Sequence, residues 1–255
     1  TNHVLSLKRL RGEVMDTYKF LNIPDSCLIG NTIYKKLIYE NADLSTSDKS
    51  LFTDTINKVT WLYCLKPETI NIPAYKDEVR DYPEIEVIEV LVHKDYNLKR
   101  IAEIIMRTIP YPMLLVFKWE DEKQLYVAHQ RVSQSDSSRN TIEEFISTDW
   151  LDGDSALFAK LDIREMRFTN FFTLYSDIVD TISIYKVSDV IADNAPITGA
   201  EARALSTQIE EIDGQITSLR ARLKKESQFN RKMELNIEIK RLEQNKNKLL
   251  GGDAL

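Results

Sequence analysis

The sequence predicts an α/β fold of the α+β type, in which a small mixed β-sheet is packed with helices and followed by a C-terminal coiled-coil arm or helical hairpin. Three observations predict it. Strand-like and helix-like apolar patterns alternate through the first 195 residues, the last part of the chain carries apolar residues at spacings of three and four, and the 255 residues include only 7 glycines. We therefore expect a mixed α/β head domain at residues 1–195 and a coiled-coil arm at residues 196–255.

The composition is typical of a folded cytoplasmic protein. Hydrophobic residues make up 43% and charged residues 29% of the chain, and no apolar run approaches the ~18 residues of a membrane span. Cys27 and Cys64 lack partners at metal-ligand spacing, which favours two reduced core thiols. Residues 200–255 carry a net charge of +2 and the rest of the chain −8, so the head is a poor match for the phosphate backbone of nucleic acids.

The first part of the head is predicted to be mainly helical. Apolar residues at spacings of three and four indicate helices at residues 3–21 and within Thr32–Glu40. Capping residues at Leu44–Asp48 begin a longer amphipathic helix. We expect that helix to continue through Tyr63 and to end before Pro67.

The chain beyond Pro67 supplies the sheet. The predicted strands are Thr69–Ile72, Glu84–His93, Met113–Trp119, Gln124–Arg131 and Thr141–Thr148, and the predicted helices run from Asn97 to Arg107, over Leu157–Leu161 and over Asn170–Ile184. Val90–Val92 is apolar on both faces, which is typical of a central strand. Met113–Trp119 and Gln124–Arg131 flank a charged turn and should form a hairpin.

The head carries no recognisable catalytic signature. The sequence lacks GxxxxGK[ST], GxGxxG, HExxH, CxxC and GxSxG motifs, so we predict no catalytic residue, no metal ligand and no cofactor. Glu84, Glu86 and Glu89 come nearest to a carboxylate cluster; the first two share a strand face and the third lies on the other. An exposed strand face is the plain interpretation, and a divergent metal-dependent nuclease that pairs one of them with Asp149 is the alternative.

The arm carries an apolar seam with the spacing of a coiled coil. Its members are Leu205, Ile209, Ile212, Ile216, Leu219, Leu223, Leu235, Ile239 and Leu242. Polar residues at Glu226 and Asn230 interrupt the seam, which favours a helical hairpin over one continuous helix of about 75 Å. Because an isolated helix is only marginally stable, the seam must be buried. The arm either packs on itself or on the head, or it uses the seam to bind a partner protein or a second copy.

Four basic residues straddle the interruption of the seam. Lys224, Lys225, Arg231 and Lys232 would form a compact patch at a hairpin tip. Such a patch could contact DNA phosphates or an acidic protein surface, although charges are also usual at any solvated tip.

Several stretches, taken in order, resemble a known family. They are ENADLSTSDKSLFTDTINKVTWLYCLKPETINI (Glu40–Ile72), EIEVIEVLV, IPYPMLLVF, STDW (Ser147–Trp150) and KKESQFNRKMELNIEIKRLE. Together they resemble the bacterial and archaeal family called domain of unknown function 4391, from Tyr18 to Leu249. The resemblance implies no activity and no catalytic residue. It implies a genomic setting beside DNA methyltransferases and superfamily-2 helicases, in clusters that resemble restriction and anti-phage defence systems.

These inferences predict a non-catalytic adaptor subunit of a defence complex. Its arm would dock a helicase or a DNA methyltransferase of the same system. Two alternatives stay open at this point: a divergent metal-dependent nuclease of the same complex, and a DNA-binding module that uses the basic tip.

Overall fold

A computed structural model describes residues 12, 16–133, 140–188, 191 and 196–251. The chain divides into two compact units, Thr1–Ile182 and Ser183–Leu255. The mixed α/β class predicted from the sequence is confirmed. The predicted helix at residues 3–21 lies largely outside the described residues. Among the described residues, no helix combines the length and apolar character needed to cross a bilayer.

The described strands form one six-stranded sheet and one small ribbon. The strands are β1 Leu28–Ile33, β2 Ile56–Leu65, β3 Tyr75–Lys76, β4 Asp81–Tyr82, β5 Ile85–Val92, β6 Met113–Trp119, β7 Glu122–Val132 and β8 Asn140–Ser147. The large sheet has the order β1-β2-β5-β6-β7-β8, and β3 pairs with β4. All neighbours in the large sheet are antiparallel except β5 and β6.

Helices connect and cover the strands. They are α1 Lys35–Asn41, α2 Thr46–Thr55, α3 Pro67–Ile70, α4 Leu98–Thr108, α5 Ala156–Lys160, α6 Phe171–Ser188, α7 Gly199–Lys225 and α8 Phe229–Leu249, with short 3-10 turns at Lys19–Leu21, Asp25–Cys27 and Ile163–Glu165. Parallel strands require a crossover connection, and α4 supplies it between β5 and β6. Asn97, the N-cap residue of α4, adopts a left-handed φ of 51°, and its side chain forms no capping hydrogen bond.

The long helix predicted from Leu44–Asp48 through Tyr63 is wrong in its second half. Its start is right, because Ser45 and Asp48 form a capping box that begins α2. The helix ends at Thr55, and the chain continues directly as β2. The apolar residues of β2 are buried because β1 and β5 pair with it on either side, and this sheet pairing overrides the helical spacing.

Two further predictions near this point are corrected. The predicted strand Thr69–Ile72 is not observed, since Pro67 begins the single helical turn of α3 and Asn71, at a φ of 56°, ends it. Strand β1 was not predicted. It contains Gly30 at a φ of 70° and an irregularity in its pairing between Leu28 and Asn31, which break the two-residue period that would mark it.

One face of the large sheet packs against α2 and α4. The buried cluster on this face combines sheet residues with Phe52 of α2 and with Ile101 and Ile105 of α4. The sheet residues are Ile56, Val59, Ile88, Val90, Val92, Met113, Leu115, Phe117, Tyr126 and Ala128. This core gives β5 and β6 the apolar cover that central strands need.

Helix α6 is joined to the sheet through Tyr175. The β6–β7 pairing ends at Leu115 and Tyr126, and beyond that point the fully buried Tyr175 hydroxyl donates to the Met113 carbonyl (2.8 Å) and accepts the Ala128 N–H (3.1 Å). The Tyr175 ring lies against His129, whose Nδ1 is 2.9 Å from the Tyr82 hydroxyl. His129 is thus part of a structural aromatic cluster.

Replacement of Tyr175 by Phe tests this attachment. The variant leaves the Met113 carbonyl and the Ala128 N–H buried without their partner, which costs about 1–3 kcal/mol. We expect the midpoint of thermal unfolding to fall by several degrees. The matched control is Tyr96→Phe at an exposed tyrosine, which should leave the midpoint unchanged; equal melting of both variants would contradict the role given to Tyr175.

Candidate functional site

The second unit is built around a helical hairpin. Thr198 and Glu201 form a capping box that begins α7, and α7 and α8 are separated only by residues 226–228. Salt bridges link Arg220 to Glu243 (2.8 Å) and Asp213 to Lys246 (2.7 Å), so that the two helices run antiparallel. Of the two predicted geometries, the structure has the hairpin, and it reverses within the predicted interruption.

The predicted seam is buried inside this hairpin. Ile216, Leu219, Leu235 and Ile239 form a buried cluster, with Ile212, Leu223 and Leu242 packed against it. Leu205 and Ile209, also predicted as seam residues, are half-buried and lie outside this cluster. Since the seven residues of this cluster cover each other, a partner of the hairpin would contact other residues.

The opposite side of α8 carries exposed apolar residues. Phe229, Met233 and Ile237 are 72%, 50% and 62% exposed, and their spacing of four places them on one stripe of the helix. At 100° per residue this stripe faces away from Leu235 and Ile239. We call these three residues the α8 stripe. Large apolar side chains in a row on a surface commonly mark an interaction site.

The four basic residues predicted to contact phosphate lie on both sides of the turn. Lys224 and Lys225 end α7, and Arg231 and Lys232 lie in the first turn of α8. All four are exposed. The structure therefore brings them together at the tip of the hairpin, as the hairpin geometry predicted.

Glu86, in the sheet, has a strongly perturbed pKa. This carboxyl is buried in β5 and accepts a hydrogen bond from the Trp61 indole N–H at 2.5 Å. Burial, and then the charge of Glu84, raise the pKa of Glu86 to about 8. Beside it, burial and the charges of Glu86 and Glu84 raise the pKa of the Cys64 thiol. Both groups therefore hold their protons at neutral pH.

Cys64, Glu84 and Glu86 are also arranged so that they could hold a metal ion. Their ligand atoms all lie within 4.8 Å of one another, and no other such group of three occurs in the described ranges. A metal would have to displace the protons of Cys64 and Glu86, because only the ionised forms are ligands. The shared face of Glu84 and Glu86 was predicted; the contribution of Cys64 was not.

Glu89 belongs to a different cluster. The Tyr18 hydroxyl donates to Glu89 at 2.5 Å, and burial, followed by the Glu89 charge, raises the pKa of Tyr18. The Lys123 ammonium lies over the rings of Tyr18 (5.9 Å) and Phe158 (5.5 Å). The predicted strands Met113–Trp119 and Gln124–Arg131 leave Lys123 in the charged turn between them. Lys123 is instead the second residue of β7, and its side chain is buried.

The acids proposed for a nuclease are therefore not assembled in one place. Glu84 and Glu86 cluster with Cys64, Glu89 is bonded to Tyr18, and the metal-binding geometry does not include Asp149.

The sequence contained a signal for the α8 stripe that the seam obscured. Phe229, Met233 and Ile237 repeat every four residues in parallel with the seam. When a helix with two apolar faces pairs with a single neighbour, one of the two faces stays exposed. The pairing of Trp61 with Glu86 had no such signal, because it depends on the register of β2 against β5.

Comparison with known proteins identifies one family. The model of the family described as domain of unknown function (DUF4391) matches residues 21–245. No curated protein and no solved structure matches the chain.

The raised pKa of Glu86 predicts how stability depends on pH. The folded state binds the Glu86 proton more tightly than the unfolded state, whose pKa is near 4.5. Protonated Glu86 thus contributes on the order of 3 to 5 kcal/mol to the free energy of unfolding. This contribution is fully present below pH 4.5 and is lost as the pH rises through about 8.

Glu86→Gln should remove this dependence, because the amide resembles the protonated acid. At pH 9 we expect the variant to unfold at a higher urea concentration than the unchanged chain, and at pH 4.5 at a similar one. Glu122→Gln, at an exposed position of the same sheet, is the control. A Glu86→Gln variant with the same pH profile as the unchanged chain would show that Glu86 is not the titrating group.

Proposed function

Since the chain belongs to the domain of unknown function 4391 family, matched over residues 21–245, we propose that it is a non-catalytic interaction subunit that binds a partner protein through its helical hairpin. The observation that carries this proposal is the α8 stripe. Phe229, Met233 and Ile237 are large, apolar and exposed on a helix whose other apolar face is already buried. Burying such side chains is favourable by about 1.5–3 kcal/mol each.

The charges of α8 indicate which kind of partner surface would bind this helix. The helix carries six basic residues and three acidic ones: Arg231, Lys232, Lys240, Arg241, Lys246 and Lys248 against Glu234, Glu238 and Glu243. An apolar groove with an acidic rim is complementary to such a helix. A second copy is a poorer match, since the same basic helix would face itself.

The proposed partner is a helicase or a DNA methyltransferase of the same system. We propose this identity on the basis of the genomic setting that the family resemblance implies, and with it a role in a cytoplasmic anti-phage defence or restriction-like complex.

The head itself offers little support for the nuclease alternative. Glu86 is buried and protonated at neutral pH, and Glu89 is occupied by Tyr18. A metal-dependent nuclease needs ionised carboxylates that meet at an accessible point. Purified full-length chain that cleaved DNA with Mg²⁺, and lost this activity on Glu86→Ala, would overturn the non-catalytic proposal.

The test of the docking surface is the double variant Met233→Glu/Ile237→Glu. Two charges in the α8 stripe should weaken binding at least tenfold, because each would be desolvated in an apolar groove. The measurement is co-purification with the co-expressed helicase and methyltransferase encoded beside the gene, followed by titration of the partner that is retained.

The matched control is Tyr34→Glu/Leu37→Glu. These two residues are 70% and 52% exposed on the first unit, so the same charges are added to an apolar surface of similar exposure. We expect this control to bind as the unchanged chain does. Loss of binding in the control with retention in the α8 variant would place the interface on the head and refute the proposal, and a chain that binds only itself would refute the partner.

A further inference from the structure

The hairpin tip, residues 222–232, concentrates positive charge in an acidic protein. It holds five basic residues and one acidic residue, a net charge of +4, whereas the whole chain carries −6. The basic residues are Arg222, Lys224, Lys225, Arg231 and Lys232. Because the turn between α7 and α8 is only three residues long, these charges are gathered at one end of the hairpin.

The charges of the tip are available to a ligand. Within the described part of the chain, none of the five basic side chains forms a salt bridge or a side-chain hydrogen bond. The one acid, Glu226, is engaged by the backbone: it accepts the N–H groups of Ser227 (2.8 Å) and Gln228 (2.9 Å). These hydrogen bonds, together with the charges of Arg231 and Lys232, lower the pKa of Glu226. Glu226 thus stabilises the turn and leaves most of the positive charge uncompensated.

An exposed aromatic ring lies among these charges. Phe229 is the first residue of α8, follows Lys224 and Lys225 across the turn and precedes Arg231. Cations alone would suit any anionic surface. A solvated ring between cations is the combination that single-stranded nucleic acid recognises, since phosphates meet the cations and an unpaired base stacks on the ring.

We propose that the hairpin tip binds single-stranded nucleic acid. Lys224, Lys225, Arg231 and Lys232 contact the phosphates, and Phe229 stacks on a base. A duplex fits less well because its bases are already stacked on one another and the ring cannot reach their faces. Phe229 is shared with the α8 stripe, but the protein interface is tested at Met233 and Ile237 and the phosphate contacts at Lys224 and Lys225. Either proposal can therefore fail without the other.

The experiment is a titration of the full chain with a fluorescent oligothymidylate of about 12 nucleotides, repeated over a series of salt concentrations. We expect binding whose logarithm falls linearly with the logarithm of salt, by about 0.7 for each phosphate contact. A duplex of the same length should bind more weakly. Oligouridylate should bind much as oligothymidylate does, because stacking and phosphate contacts do not require deoxyribose.

Two variants separate the contributions. Lys224→Glu/Lys225→Glu should weaken binding at least tenfold and flatten the salt dependence, whereas Phe229→Ser should weaken it roughly tenfold with the salt dependence unchanged. The matched control, Lys240→Glu/Lys248→Glu, makes the same charge change at exposed positions of α8 beyond the tip and should alter affinity by less than about threefold. Circular dichroism melting checks that each variant is folded.

Three results would overturn the proposal. The first is that the oligonucleotide does not bind at about 50 mM salt, and the second is that the tip variant and the control weaken binding equally. The third is that a duplex binds as tightly as a single strand and that Phe229→Ser has no effect. Binding to vesicles of anionic lipid, but not to the oligonucleotide, would assign the tip to a membrane surface instead.

Discussion

The parallel pairing of β5 with β6 is the constraint on which the first unit depends. Parallel neighbours cannot be joined by a short turn, so the chain must leave the sheet, form α4 and return. The crossover helix then covers one face of both strands. A polar side chain on that face of β5 consequently has little access to water and needs a partner inside the protein. Glu86 lies there, receives the Trp61 N–H and keeps its proton. Glu89, on the other face, is half-buried and receives the Tyr18 hydroxyl.

The apolar seam of the second unit is buried within that unit. Its two helices are joined by a three-residue turn and cover each other's seam, so the seam is buried without another chain. The α8 stripe and the basic tip lie outside this buried seam and contribute little to the fold of the hairpin. Residues whose exposure brings no structural advantage are the first candidates for recognition.

How far the sequence predicts this fold depends on the local signals at each point. The central strand Ile85–Val92 and the hairpin that follows α4 were predicted, because their apolar patterns have one interpretation. The boundary between α2 and β2 was missed, since no glycine or proline stands at Thr55–Ile56 and the apolar residues on either side suit both structures. The arm was predicted as far as its seam. Its functional surface could be found only once the helices were paired, because burial of one face identifies the face that stays exposed.

The buried cysteines have a practical consequence. Cys64 lies beside Glu86, and Cys27 is close to the Thr69 hydroxyl; burial raises the pKa of both thiols. The thiolate is the form that reacts with alkylating reagents, so the folded chain should be almost inert to maleimides although it contains no disulfide among its cysteines. A single cysteine introduced on the hairpin would then carry a fluorophore or spin label without removal of the natural thiols, and the slow modification of those thiols would record how often the head opens.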